Sequence, residues 1–236
     1  MKYKIIKHPL HIAIDGPVAS GKGTISALLS LRLGIIYIYT GGMYRALALS
    51  CLRNQVTTAN ETDVLAQLQK ISITLSPKVN GDSSCLVFLN GEDVTHEIKK
   101  PNIAQTAPLV AKIPEVRKHM VLLQQQLAKN TSVIMEGRDI SLRVLPDAQL
   151  KVYLDASIVE RAQRLFLLWQ KQGISTSIED ARLAAKERDA HDQSRSVDPL
   201  QKTPDAQVVQ TDGMKPDEVV DAIINKLIAQ KLIEPV

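Results

Sequence analysis

The sequence predicts an α/β fold: a five-stranded parallel sheet covered by helices on both faces, with a small antiparallel β insert and a short lid. Three observations predict it. Short apolar runs alternate with segments of helical period, the pattern of a sheet built from β-α-β units. The run His11-Ile12-Ala13-Ile14-Asp15 passes through a glycine-rich turn straight into a helix beginning near Lys22. From Asn54 to Lys100 the texture changes to short strands around turn residues, as in an inserted meander.

The turn after the first strand reads Gly16-Pro17-Val18-Ala19-Ser20-Gly21-Lys22-Gly23-Thr24. Two glycines, a lysine and a hydroxyl at this spacing, between strand and helix, are what a phosphate-binding P-loop requires. Glycine lets the backbone turn its N–H groups inward, the helix start adds the positive end of its dipole, and Lys22 brings a mobile charge. A P-loop NTPase fold with a phosphate chain cradled on residues 16–24 is expected. Gly23 stands where Ser or Thr directly follows the lysine in GTPase switches, and the hydroxyl arrives as Thr24. The G-K-G-T form resembles the nucleoside monophosphate kinases.

Gly34 ends the first helix, and Ile35-Ile36-Tyr37-Ile38-Tyr39 is a second strand, β-branched and aromatic. It delivers Thr40-Gly41-Gly42-Met43-Tyr44-Arg45, a helix start from which Arg45 either points at an anion or lies solvated. A helix over Thr62 to Lys70 precedes strands at Ser72-Leu75 and Cys85-Leu89 around the turn Asn80-Gly81-Asp82, and Asn90-Gly91 is a hairpin signal. Two helices start near Pro101 and Pro114.

Ser132-Val133-Ile134-Met135 is the next buried strand and leads into Glu136-Gly137-Arg138-Asp139. A carboxylate at the carboxyl end of such a strand stands where P-loop enzymes orient magnesium and its waters. The direct Mg2+ ligand is either Thr24 or Glu136, with water as the alternative bridge. Leu150-Leu154 is a further strand, and Ser157 can cap the helix that carries Arg161 and Arg164 on one face. After Gly173, a helix from Thr176 or Ser177 carries Arg188, Asp192 and Arg195 at spacings of four and three, ending at Asp198-Pro199. That stripe is either a solvated face or, beside a phosphate loop, a clamp. A strand at Gln207-Thr211 and a helix from Pro216 to near Lys231 close the chain.

Composition narrows the function classes. A chain of 236 residues, 44% hydrophobic, can bury a full core. Its net charge of +4 suits an enzyme for small anions at least as well as a nucleic-acid binder, and 3% aromatics leave few platforms for stacking bases. Cys51 and Cys85 lie far apart, so free buried thiols in a reducing cytosol are expected. Lys2, Lys4 and Lys7 break up the start of the chain, so no leader is read there, and no apolar run reaches membrane-spanning length. The expectation is a cytoplasmic monomer with no nucleic-acid or membrane partner. Trp169 reads as a packing residue.

Over nearly its whole length the chain resembles bacterial cytidylate kinase. The resemblance rests on Ile14-Asp15-Gly16-Pro17 with Gly21-Lys22-Gly23-Thr24, Gly42-Met43-Tyr44-Arg45, Gly91-Glu92-Asp93-Val94, Glu136-Gly137-Arg138-Asp139, Leu154-Asp155-Ala156-Ser157 with Glu160-Arg161-Ala162, and Glu187-Arg188-Asp189, in that order. It implies a single domain, residues 1–236, with a nucleoside-monophosphate region enlarged by a β insert at about 60–100 and a lid at about 158–176. It implies phosphoryl transfer from ATP with Mg2+ to CMP or dCMP. By motif, Arg45, Arg138 and Arg195 would hold the acceptor phosphate with Thr40 beside them. Arg117 and Asp139 would read cytosine, and Arg188 with Asp192 would meet the ribose. Lys22, Arg138, Arg161 and Arg164 would be catalytic, the last two as lid arginines on the transferring phosphoryl.

Three places depart from that pattern: Pro108 where the family often has serine, Ile140-Ser141-Leu142 after Asp139 where it often has Gly-Thr, and Leu165 where it commonly has another lid arginine. None removes a phosphate contact, so altered selectivity or rate is expected. The alternatives are a P-loop kinase for another acceptor, such as UMP, AMP or shikimate, and a nucleotide switch or nucleic-acid-associated ATPase. A switch would carry Ser or Thr directly after Lys22 and an N-K-x-D guanine reader, and this sequence has neither.

Overall fold

The computed structural model describes residues 3–77, 85–195 and 197–236, so the expected turn at Asn80-Gly81-Asp82 lies outside the described residues. In chain order the elements are β1 (Tyr3–Ile5), β2 (His11–Asp15), α1 (Lys22–Leu33), β3 (Ile36–Tyr39), α2 (Thr40–Arg53), α3 (Glu61–Gln69), β4 (Ile73–Pro77), β5 (Cys85–Leu89) and β6 (Glu92–Asp93). Then come α4 (Pro101–Val110), α5 (Pro114–Ala128), β7 (Val133–Gly137), β8 (Leu150–Asp155), α6 (Ile158–Lys171), α7 (Ile178–Gln193), β9 (Gln207–Gln210), α8 (Pro216–Ala229) and β10 (Ile233–Pro235).

The main sheet has five parallel strands in the order β3-β7-β2-β8-β9, as the alternating pattern predicts. Central β2 is apolar on both faces because both are covered. Ile12 and Ile14 pack with Leu29 of α1 and Val220 and Ile223 of α8. Ala13 turns the other way, toward Ile38, Met135 and Ala128. Register decides where the site forms: Asp15 lies opposite Gly137 on β7 and Tyr153 on β8. The carboxyl ends of three neighbouring strands therefore meet at one edge, where an open α/β sheet holds its ligands.

The meander β4-β5-β6 is antiparallel, and its second turn is closed by Asn90 at φ 51° and Gly91 at φ 84°, the pair of positive angles a two-residue hairpin turn demands. Val87 and Leu89 seat it on a second core made by Met43 and Leu47 of α2, Ile103 of α4 and Met120 of α5. Met120 is fully buried, so truncating it to alanine would cost about 2–5 kcal/mol.

Four features differ from the sequence reading. β1 and β10 form a two-stranded antiparallel ribbon between the far ends of the chain, a pairing no local pattern signals. Residues Ile140–Val144 make one wide helical turn, closed by the Leu145 N–H on the Ile140 carbonyl at 2.7 Å. α7 ends at Gln193, so Arg195 lies beyond the helix that the spacing argument placed it on, and α8 stops at Ala229. Both cysteines are free and buried, and no helix among the described residues is long and apolar enough to cross a membrane.

Candidate active site

A cleft of about 930 Å³ opens at the carboxyl edge of the sheet. Its described lining includes Val18, Ala19, Gly21, Lys22, Gly23 and Thr24 from the glycine loop, Thr40 and Arg45 from α2, Arg117 from α5 and Glu136 to Asp139 after β7. Arg164 of α6 and Arg188, Asp192 and Arg195 from the end of α7 complete it. Among the described lining residues, basic side chains outnumber acidic ones nine to three. Such a surface attracts polyanions.

The loop is shaped for close approach. A Cβ on Gly16, where φ is +150°, would stand 2.1 Å from the Leu154 carbonyl oxygen, so only glycine lets the loop pass over β8. Gly21 caps α1 in the left-handed region, with no side chain on the helix's first N–H groups and no acidic residue in its first turn. Those amides and the helix dipole are available to a phosphate. Ala19 also sits at positive φ, 58°, a strained conformation for a residue with a Cβ. Lys22 folds back to donate to the Gly16 and Pro17 carbonyls at 2.9 and 2.7 Å. Burial, and then the nearby Arg138, lower its pKa to about 7.

Arg45, Arg138, Arg188 and Arg195 form the middle of the cleft. Arg45 donates to the Ile98 carbonyl at 2.9 Å. Arg138 donates to Asp192 at 2.6 Å, and Arg195 pairs with the other Asp192 oxygen. Burial alone would raise the Asp192 pKa, but Arg138, Arg195 and Arg188 together hold the carboxyl below its ordinary range. The stripe on α7 thus turns inward, toward the phosphate loop. Arg188 has no hydrogen-bond acceptor among the described residues, and burial together with Arg138 and Arg45 lowers its pKa to about 10. Thr40 donates its hydroxyl to the Glu136 carbonyl at 2.8 Å, and the Glu136 carboxylate accepts the Tyr37 hydroxyl at 3.3 Å.

Arg117 and Asp139 are both buried and directly paired. Arg117 also donates through Nε to Asp198 at 3.2 Å, and its guanidinium lies 5.8 Å from the centre of the Tyr44 ring. Asp198 in turn pairs with Arg143. Burial raises the Asp139 pKa against the pull of Arg117. Pro108, Ala107 and Ala111 lie on the same wall and offer this end an apolar surface.

The structure separates the two arginines that helical spacing puts on one face. Arg164 lines the cleft beside Gly21 and donates to the Thr211 hydroxyl and carbonyl at 3.0 and 2.8 Å. Arg161 does not line the cleft: it is buried behind the glycine loop, paired with Asp189 and bonded to the Val18 and Ala156 carbonyls. Asp15, Asp189, Asp198 and Thr211 received no role from the sequence alone, because each acts through a partner distant in the chain. Trp169 packs against the small cluster of Val18 and Leu165 and also lines the cleft.

A family profile described as cytidylate kinase matches residues 12–229. The cytidylate kinase of Oceanobacillus iheyensis is 42% identical over 216 residues, 92% of this chain and 93% of its own length. Those of Desulfitobacterium hafniense and Lactiplantibacillus plantarum are 39% and 38% identical over 220 and 225 residues, covering 93% and 95% of this chain and 93% and 97% of theirs. Among solved structures, an uncharacterized protein from Eubacterium ventriosum aligns with a TM-score of 0.50 at 12% identity, over 94% of this chain and 99% of that one, a likeness of fold alone.

Proposed function

This chain belongs to the cytidylate kinase family, a phosphotransferase of CMP and dCMP with ATP as donor, and we propose how its residues divide that reaction. The loop of residues 16–24 cradles the ATP phosphates. Lys22 leaves its loop carbonyls to meet the outer ones, and Arg164, beside Gly21, closes on the transferring group. Arg45, Arg138 and Arg195 hold the acceptor phosphate, with Thr40 fixing the strand end beneath them. Arg188 and Asp192 face the ribose.

The observation that carries this reading is one cleft holding both an uncapped helix start with Lys22 and the buried Arg117–Asp139 pair. A carboxylate accepts from the exocyclic amino group of cytosine while the guanidinium donates to the adjacent ring acceptors. Uracil would instead turn a carbonyl oxygen toward the Asp139 carboxylate, setting two acceptors against each other with no proton between them in a buried site. Phosphoryl transfer between two anions needs alignment and charge neutralisation more than a strong base, and these arginines supply both.

Thr24, exposed in the first turn of α1, and Glu136 at the end of β7 both line the cleft and offer hard oxygen donors. That donor set fits Mg2+, which is held by one or two side chains together with water and phosphate oxygens. Bound there, Mg2+ would neutralise phosphate charge. The β4-β5-β6 meander and its core serve as the region that receives the monophosphate. Residues 158–176, covering α6 and the turn after it, serve as a lid whose closure excludes water. Its two free, buried cysteines suit a reducing cytoplasm, where we take the protein to act as a monomer.

The test is ATP consumption by the purified protein with magnesium, offering CMP, dCMP, UMP, AMP and shikimate in parallel against a control without acceptor. Rapid turnover confined to CMP and dCMP is expected. Preference for UMP or AMP would overturn the role of Asp139.

A further inference from the structure

We infer that Asp189 and Arg161 are a positioning pair that grips the phosphate loop at Val18 from behind; this rests on the reading of that loop as the ATP cradle. Four contacts converge on the grip. The Val18 N–H donates to Asp189 Oδ1 at 3.1 Å. Arg161 Nη1 donates to the Val18 carbonyl at 3.2 Å and also pairs with Asp189 Oδ2. Arg161 Nε is anchored on the Ala156 carbonyl at 3.0 Å. Both residues are 8% exposed, and neither lines the cleft.

A loop that turns its amides toward phosphates must have its remaining backbone groups satisfied from the other side, because a buried N–H or C=O without a partner is costly. At Val18 both groups are taken by this one ion pair. The next residue, Ala19, is held at φ 58°, which persists only where the surroundings over-determine it. Behind the pair, Val18 packs with Leu165 of α6 and with Ala181 and Ala185 of α7. Asp189 belongs to α7 and Arg161 to α6, so the grip also ties the loop to the helix pair that includes the lid. Arg161 therefore acts on the reaction through the loop, whereas Arg164 alone of the two faces the cleft.

The experiment measures Kd for ATP and for CMP separately by calorimetry, with kcat, in Asp189→Ala, Asp189→Asn, Arg161→Gln and the Arg161→Gln/Asp189→Ala double variant, each first shown to be folded by its thermal melt. A misplaced loop weakens ATP binding by about 10- to 100-fold, with CMP affinity held within about twofold. Asp189→Asn, which keeps an acceptor for the Val18 amide, recovers most of that loss. In the double variant the losses fall short of the product of the singles, because both act on one contact set. If Asp189→Ala does not fold, Asp189→Asn and Arg161→Gln carry the same comparison. Equal weakening of ATP and CMP, or a fall in kcat with ATP affinity unchanged in Arg161→Gln, would overturn the inference. Lys22→Ala separates the two levels: retained ATP affinity there sinks the cradle reading itself, whereas its loss beside an unaffected Asp189→Ala sinks only the grip.

Discussion

The carboxylate of Asp15 accepts the backbone N–H of Ser141 at 2.7 Å and that of Ile140 at 2.9 Å. Asp15 ends β2 immediately before Gly16, so one buried side chain ties the start of the phosphate loop to the segment that carries Arg138 and Asp139. Asp15→Asn keeps the size but sets an amide donor against one of two N–H groups. The expected cost is about 1–3 kcal/mol of stability, together with a lower kcat/KM for CMP. Denaturant melts and acceptor kinetics on the same preparation check this; a variant indistinguishable in both would show that the tie carries nothing.

Lys22 should take up a proton when ATP binds. Burial and Arg138 hold its pKa near 7 in the free protein, and a polyphosphate beside it restores the charged form. At pH 8 the binding event should therefore absorb close to one proton, read by calorimetry in buffers of different ionisation enthalpy, with Lys22→Met as the baseline. The same shift has a sign for the free protein. Between about 7 and the ordinary 10.5 the unfolded chain keeps a proton that the folded one has lost, so this group makes stability rise with pH across that window. Lys22→Ala should abolish turnover with the fold intact. Identical proton uptake in wild type and Lys22→Met would disprove the role.

Asp139→Ala should strike cytidine acceptors harder than others. The carboxylate is the acceptor facing the base, while Arg117 keeps Asp198 as a partner and stays in place. A loss of about 10²-fold in kcat/KM for CMP, with UMP or AMP changed far less, is the expected pattern. An equal fall for every acceptor would make Asp139 a support for Arg117 and nothing more.

Local pattern made the sheet and the loop legible: β2, β7 and β8 are short apolar runs, the glycine loop has a fixed spacing, and Asn90-Gly91 demands positive φ at both residues. Charge spacing correctly brought Arg188, Asp192 and Arg195 together, although Arg195 lies past the last turn of α7. What stayed hidden depends on contacts across the chain. The β1-β10 ribbon joins residues more than two hundred apart. Helical spacing could say that Arg161 and Arg164 share a face, but their directions diverge because Asp189 draws one behind the loop while Thr211 holds the other at its front. The Asp198 bridge between Arg117 and Arg143 likewise exists only after folding.

Arg188 and Asp192 share the proposed ribose role but should fail differently. Asp192 also holds Arg138 and Arg195, so Asp192→Ala releases two phosphate arginines and should lower turnover with CMP and dCMP alike. Arg188 holds no acceptor among the described residues, so Arg188→Ala should shift the ratio of kcat/KM for CMP over dCMP while disturbing the other arginines little. The two ratios, measured side by side, decide it. An unchanged ratio in Arg188→Ala would remove that residue from the ribose.

Gly16→Ala should cost ATP binding and stability together, and Gly34→Ala neither to the same degree. At Gly16 the added carbon would lie 2.1 Å from the Leu154 carbonyl oxygen. That oxygen belongs to β8, paired on both sides within the sheet, so it cannot move away as a flexible side chain would. The loop must shift instead, and with it the amides that meet the phosphates; a shift of about 1 Å is enough for about 10²-fold in ATP affinity. At Gly34 the φ of 67° is equally foreign to alanine, yet nothing lies within 4 Å of the added carbon. The cost there is the backbone term alone, about 1–2 kcal/mol, with ATP affinity unchanged. Melting curves and ATP titrations on the two variants separate close approach from conformational freedom. Wild-type ATP affinity in Gly16→Ala would mean that the cradle does not depend on its contact with β8.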